Sequence, residues 1–184
     1  VLGGSSAINA MLYVRGHQTD YDEWRDLGNP GWGFDDVLPY FKKAEGNARG
    51  ASDLHGASGP LCVQDQRSPK PISEAFIEAG RQTQIPVNED FNGETQEGIG
   101  GYQVTQRDGV RCSAAAAYIE PNLDRPNLHI LTKARAEKVM VENGRATGAV
   151  VSVSGNSRTL KARREIVLAG GAFGTPQLLM LSGI

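Results

Sequence analysis

Apolar and polar positions change rhythm twice along the chain. The first part reads as loops between short helices. Leu2-Gly3-Gly4-Ser5-Ser6 is a loop, and the mostly apolar run 7–14 predicts a helix starting near Ser5, since serine is a favourable N-cap. Asp20-Tyr21-Asp22-Glu23-Trp24 reads as the acidic first turn of a short helix. Gly28-Asn29-Pro30-Gly31-Trp32-Gly33 admits only a loop. From Asp35, the spacing of Val37, Leu38 and Phe41 predicts a second helix. Lys42 and Lys43 lie near its C-terminal end, and Pro39 fits a first turn.

The middle is mixed. Residues 46–60 are polar and glycine-rich and read as a surface loop or domain crossover. Leu61-Cys62-Val63 predicts a short strand, and Ile72, Ala75, Phe76 and Ala79 share one helix face, with Ser73 near its start. Residues 98–106 alternate loosely and end in the hairpin-like turn Arg107-Asp108-Gly109. Residues 113–119 are alanine-rich and helical, with Pro121 ending the helix. The last third is strand-rich: 128–131, 138–141, 149–153 and 166–168 read as strands, and Glu142-Asn143-Gly144-Arg145 as a hairpin turn. Ile166-Val167-Leu168-Ala169 is continuously apolar, as in parallel strands covered on both faces. It feeds a loop, 170–176, and a helix over 177–181. The whole predicts a mixed α/β fold.

Composition narrows the function classes. A chain of 184 residues buries a real core, and a net charge of −2 offers no basic excess for nucleic acid or an acidic membrane. With 39% apolar and 22% charged residues, the chain is not disordered as a whole. Glycine stands out, with 23 residues in 184, well above the usual ~7%. Two cysteines, Cys62 and Cys112, make neither a disulfide scaffold nor a four-ligand zinc site; they fit a reducing compartment or chance, and read as two small buried side chains. No signal peptide is visible, and the apolar tail 166–184 is too interrupted to span a membrane. The chain starts at Val1 and ends in an apolar run, so both ends look cut from something longer.

Two stretches carry candidate chemistry. The strand, glycine turn and helix start around Gly170 form an anion or nucleotide site in outline. Gly3-Gly4-Ser5-Ser6 ahead of an apolar run, with Asn9 one turn on, has the same physics. Two such sites make sense together if both face one large dinucleotide. His17, His55 and His129 read as surface or packed histidines without catalytic duty. Asp22, Glu23 and Asp26 read as a solvated helix face rather than a metal site. Trp24, Trp32 and Tyr40 read as packing anchors rather than a cage for a quaternary ammonium.

Residues 2–16, Leu-Gly-Gly-Ser-Ser-Ala-Ile-Asn-Ala-Met-Leu-Tyr-Val-Arg-Gly, followed by Asp20-Tyr21-Asp22-Glu23-Trp24, resemble the first signature of the glucose–methanol–choline (GMC) oxidoreductases. Residues 171–184, Gly-Ala-Phe-Gly-Thr-Pro-Gln-Leu-Leu-Met-Leu-Ser-Gly-Ile, resemble the second. Asp90-Phe91-Asn92-Gly93, Gln96-Glu97-Gly98-Ile99-Gly100, Arg111-Cys112-Ser113-Ala114-Ala115 and Arg125-Pro126-Asn127-Leu128 fall between them in the family's order. The resemblance covers the whole chain and is nearest to bacterial choline dehydrogenases and related alcohol dehydrogenases.

The resemblance implies part of a doubly wound FAD-binding domain with part of an inserted substrate-binding domain. Residues 1–48 and 121–184 would belong to the former and 49–120 to the latter. It implies oxidation of a primary alcohol or choline to the aldehyde, by hydride transfer to flavin N5. Gly4, Ser5, Asn9, Ala10, Met11, Leu12, Ala136 and Gly170 are the implied cofactor contacts: Ser5 and Asn9 to the flavin end or pyrophosphate, Ala10 and Leu12 through backbone, Ala136 at the adenine. FAD would be held non-covalently, because the position where some relatives carry a flavin-linking histidine is Ile8. The dinucleotide fingerprint and the catalytic histidine motif are not among these residues, so no catalytic residue is assigned and the chain is expected to be a central piece of the enzyme, inactive alone. The alternative is a truncated, non-catalytic flavin-binding or interaction module. The partner is a small alcohol, with the electron acceptor open, and the expected location is the cytoplasm or the periphery of the inner membrane.

Overall fold

In the computed structural model, which describes residues 1–184, the chain forms two units, Val1–Leu128 and His129–Ile184. In the first, helix α1 (Gln18–Asp26) is closed by a capping box. His17 Nδ1 accepts the Thr19 amide at 3.3 Å and Asp20 Oδ2 accepts the His17 amide at 2.7 Å, which places a carboxylate at the positive end of the helix dipole. Helix α2 (Phe34–Ala44) begins as predicted, with Asp36 accepting the Gly33 amide at 3.1 Å. Asp22 Oδ1 takes both the Phe34 amide, at 3.1 Å, and Arg25 Nη1, at 3.0 Å, and so ties α1 to the start of α2. Pro39 lies beyond the first turn and removes the bond the Asp35 carbonyl would accept, which costs little because Asp35 is exposed.

An aromatic cluster joins the two helices. Buried Tyr21 has ring centroids of Trp24, Phe34 and Phe41 at 5.5, 6.1 and 5.6 Å, and Trp24 meets Trp32 at 6.0 Å. These spacings are those of packed aromatic pairs, in which Trp24 and Trp32 each keep about half of their surface exposed. Tyr40 is not among these pairs and is 71% exposed.

The run 7–14 is not a helix. A single 3-10 turn, Gly4–Ala7, forms and then the chain extends until Leu12 bridges antiparallel to Val104. Gly3 and Gly4 have φ of 85° and 56°, which cannot start a right-handed helix. Asn9 Oδ1 then takes the Met11 amide at 3.0 Å, an Asx turn that competes with helix hydrogen bonding.

The stretch 46–60 is likewise not a plain surface loop. It opens inside strand β1 (Glu45–Asn47), which pairs in parallel with β2 (Leu61–Val63), and it buries His55 and Gly56. Helix α3 (Pro71–Gln82) forms where predicted, yet Ile72 and Phe76 are 76% and 70% exposed, while Gly80 packs on Ile99. Its predicted face lines an open groove with Val87 and Tyr102 instead of a core. Strands β3 (Gln106–Arg107) and β4 (Val110–Arg111) close over Asp108 and Gly109, both at positive φ as the hairpin requires. A π-helical turn, Ala115–Ile119, follows and leads directly into a 3-10 turn, Glu120–Asn122. Pro121 therefore does not end the helical stretch; it occupies a first turn, where no N–H is needed.

The second unit is an antiparallel meander of β5 (Ala134–Glu142), β6 (Arg145–Val153) and β7 (Asn156–Lys161), with helix α4 (Gly171–Ser182) against β5. The predicted turn at Asn143-Gly144 is present, with φ of 51° and 78°. Val139 and Val151 are buried, and the Val139 amide donates to Ser182 Oγ at 2.8 Å. Two predicted strands are absent. Residues 128–131 and 166–168 pair with nothing in the chain, and Val167 is 80% exposed. An apolar run becomes a strand only with hydrogen-bonded neighbours, and none of the 184 residues supplies them. Helix α4 starts at Gly171, well before the predicted 177, because Thr175 Oγ1 folds back to accept the Gly170 amide at 3.0 Å. The class is the expected mixture of helix and strand. No helix is long and apolar enough to cross a membrane.

Candidate functional site

The loop 5–12 is held from two sides. Arg111, at the end of β4, donates Nη1 to the Ser6 carbonyl at 3.1 Å and to Asn9 Oδ1 at 2.8 Å. Ser6 Oγ bonds back to the Gly3 carbonyl and accepts the Ala114 amide at 2.9 Å. On the far side, the Tyr13 amide donates to the Gln103 carbonyl and the Thr105 amide to the Met11 carbonyl, at 2.9 and 2.8 Å. In an antiparallel pairing this turns the intervening Leu12 N–H away from its neighbour. The Leu12 and Ala10 amides donate to no protein group, and the same holds for Ser5 Oγ and Asn9 Nδ2. Met11 sits at φ 64°, a left-handed conformation that non-glycine residues seldom adopt.

Six of the eight residues singled out in the sequence (Gly4, Ser5, Asn9, Ala10, Met11 and Leu12) thus lie on one short stretch, on which Ser5 Oγ, Asn9 Nδ2 and the Ala10 and Leu12 amides are unused donors. A Cβ built on Gly4 would meet nothing within 4 Å, so this face of the loop is open. Ala10, Met11 and Leu12 also border a cleft of about 550 Å³ with Arg67, Gln106 and Gly109. Backbone N–H groups, a hydroxyl and a primary amide are the donors that carbonyl-rich rings and phosphates require, so the residues present fit a flavin nucleotide.

The other two lie in the second unit. Ala136 is exposed on β5, opposite Val151 and beside the register shift at Glu137. Gly170 is the residue before α4, and its own amide is taken by Thr175, which leaves the following amides of the first helical turn as donors.

Behind the loop lies a charged cluster that sequence reasoning did not anticipate. Glu45 is 0% exposed. Its carboxylate accepts Arg15 Nη2 at 2.7 Å, His55 Nδ1 at 2.8 Å, Asn47 Nδ2 at 2.9 Å and the Gly56 amide at 3.0 Å. His55 Nε2 reaches Asp90 Oδ2 at 2.9 Å. Asn92 clasps the backbone on either side of Val14, accepting the Arg15 amide at 2.7 Å and donating to the Tyr13 carbonyl at 2.9 Å. Arg15 Nε has no hydrogen-bond partner, but the guanidinium lies 5.3 Å from the Phe41 ring centroid and 5.9 Å from that of Tyr13. Burial, reinforced by the Glu45 charge, pushes the Tyr13 phenol up from its ordinary value. His55 is therefore a packed, doubly engaged side chain, His17 a helix cap, and His129 an exposed residue of the second unit. Arg15 and Asn92 fall within recognisable signatures, but nothing in the local sequence says that Glu45 and His55 meet.

The family profile described as GMC oxidoreductase matches residues 1–184. The oxygen-dependent choline dehydrogenase of Sinorhizobium medicae is 47% identical over 184 residues, 100% of this chain and 33% of the relative. That of Rhizobium meliloti is 46% identical over the same shares. Among solved structures, an FAD-dependent oxidoreductase from Chaetomium thermophilum superposes with a TM-score of 0.92 at 32% identity, covering 100% of this chain and 34% of that one. Pyridoxine 4-oxidase from Mesorbium loti gives 0.91 at 35% identity, over 98% and 36%. The chain thus spans about a third of the length of the curated relatives it matches. With the signature loop held as described and the family profile matched from end to end, the chain belongs to the GMC oxidoreductase family.

Proposed function

We propose that the chain is the flavin-contacting part of an FAD-dependent enzyme that oxidises a primary alcohol, choline foremost, to the aldehyde. The observation that carries this reading is the 5–12 loop, with the Ala10 and Leu12 amides, Ser5 Oγ and Asn9 Nδ2 all without protein acceptors. The names of the relatives and solved structures support it: choline dehydrogenases, and an oxidoreductase dependent on FAD. Bound flavin would supply the acceptor for the hydride of the alcohol carbon. The chain's own part is to hold and orient that group. Ser5 and Asn9 donate to its flavin end or pyrophosphate, Gly4 leaves room beside them, and Ala10, Met11 and Leu12 present backbone to the ring. In the second unit, Ala136 is the residue assigned to the adenine, and the free amides after Gly170 suit a phosphate. Residues 1–48 and 121–184 belong to the FAD domain and 49–120 to the substrate side.

Binding is non-covalent, because Ile8 offers no nucleophile where a linking histidine would stand. The base that takes the hydroxyl proton lies outside these residues: His17 is spent on a helix cap and His55 on two carboxylates. The test is to supply FAD and follow dye reduction with choline and short primary alcohols. The 184-residue chain alone gives no turnover, whereas a polypeptide of the relatives' length containing it does. Turnover by the short chain, or none by the long one, contradicts the reading.

A further inference from the structure

The Cys62 thiol, half-buried at the centre of β2, is gripped by Arg107 of β3. Arg107 Nε and Nη2 stand 3.1 and 2.8 Å from Cys62 Sγ, so the guanidinium fork addresses one sulfur with two N–H groups. Cys112, buried directly after β4, brings its own sulfur to 3.3 Å from the Cys62 amide. Both sulfurs lie near one acceptor, the Pro60 carbonyl, at 3.8 and 4.0 Å. No step of the alcohol chemistry uses any of these groups.

The parts divide unequally. The Arg107 fork holds its two N–H groups on Cys62 Sγ, where a peroxide would react, and the thiolate is the form of a cysteine that attacks peroxides. Burial pushes the Cys112 thiol up from its ordinary value. One half-buried, cation-paired thiol beside one buried thiol is the arrangement of an attacking and a resolving cysteine.

We propose that Cys62 and Cys112 form a peroxide-sensitive thiol pair, with Arg107 as the residue that activates Cys62. In the first step the Cys62 thiolate attacks one oxygen of hydrogen peroxide. The O–O bond breaks, an S–O bond forms, and hydroxide leaves and takes up a proton as water, so that sulfur is oxidised by two electrons to the sulfenic acid. In the second, Cys112 sulfur attacks Cys62 sulfur, the S–O bond breaks, and the oxygen leaves as water with the Cys112 proton. Two thiols and one hydrogen peroxide thus become one disulfide and two waters. The bond would join β2 to the segment 111–114, which holds Ser6 and Asn9 in place.

The experiment treats the protein with hydrogen peroxide and reads intact and peptide masses. The expected result is an intramolecular Cys62–Cys112 disulfide, a loss of about 2 Da restored by a thiol reductant. Cys112→Ser should stop at a sulfenic acid on Cys62 that a dimedone probe captures, and Arg107→Met should slow the reaction about tenfold. Since Cys62→Ser could disturb β2, alkylation of the unmodified protein serves as the second measurement, with Cys62 labelled before Cys112. A protein that stays reduced, pairs only between molecules, labels Cys112 first, or reacts equally fast with Arg107→Met overturns the proposal.

Discussion

Arg111 Nη1 lies 2.8 Å from Asn9 Oδ1 and 3.1 Å from the Ser6 carbonyl, so one cation from a hairpin fixes the shape of a loop about 100 residues earlier in the chain. It occupies the Asn9 oxygen and thereby leaves the Asn9 amide nitrogen to face outward. Arg111→Met removes both bonds while keeping most of the side-chain volume. The expected outcome is FAD affinity lowered roughly tenfold, in line with a loss of about 1.5 kcal/mol for a hydrogen bond to a charged group. Fluorescence titration of flavin-stripped protein measures it, with Arg111→Lys intermediate because a lysine ammonium cannot reproduce the fork.

The Arg15–Glu45 pair should dominate stability in the first unit. Both side chains are out of solvent, and Glu45 accepts four donors. Removing one partner strands a buried charge at a cost of about 3–5 kcal/mol. Arg15→Met and Glu45→Gln should each lower stability by that order in urea unfolding. The double variant should lose distinctly less than the sum of the two, because neither charge is then left without its partner. Strict additivity would show that the two groups do not interact.

Gly56 tests the backbone side of the same cluster. Its amide donates to Glu45 Oε2 at 3.0 Å, and a Cβ built on it would collide with the Lys42 carbonyl. Gly56→Ala must shift α2 away from the strand pair or break the Glu45 bond. A destabilisation of about 2–4 kcal/mol is expected. Gly144→Ala, at a solvent-facing turn with nothing near its Cβ, should cost only the strain of its positive φ, about 1 kcal/mol.

Tyr13 sets an alkaline limit. Burial, then the Glu45 charge, raises its folded-state pKa above the unfolded value, which is about 10. Its contribution is therefore complete below pH ~10 and is lost as pH rises from there toward the folded value. Tyr13→Phe has no proton to lose, so its urea midpoint should fall less steeply than wild type above pH ~10 and run parallel below it. Identical slopes in the alkaline range would remove Tyr13 from the account.

How far the sequence reached depends on whether its signals were local. Helices α1, α2 and α3 and the turns at Asp108-Gly109 and Asn143-Gly144 rest on caps, spacing and dipeptides that act within a few residues. The signature places the 5–12 loop but not its conformation, because a serine beside apolar residues looks like a cap while Gly3 and Gly4 turn left-handed. Residues 166–168 form no strand, since an apolar run states a preference that only neighbouring strands can realise. The Glu45 cluster and the Arg107–Cys62–Cys112 group were out of reach for another reason. Contacts such as Arg15–Glu45, His55–Asp90 and Cys62–Cys112 span 30, 35 and 50 residues of chain, and only the folded backbone brings these groups together.

The central claim is that the Ala10 and Leu12 amides contact FAD. Residue-resolved hydrogen exchange on the protein with and without bound FAD tests it most directly. Slowing of at least tenfold at both amides on FAD loading, with Tyr13 and Thr105 unchanged because they are already bonded, is the result expected. Equal exchange at Ala10 and Leu12 in flavin-loaded and flavin-stripped protein would contradict it.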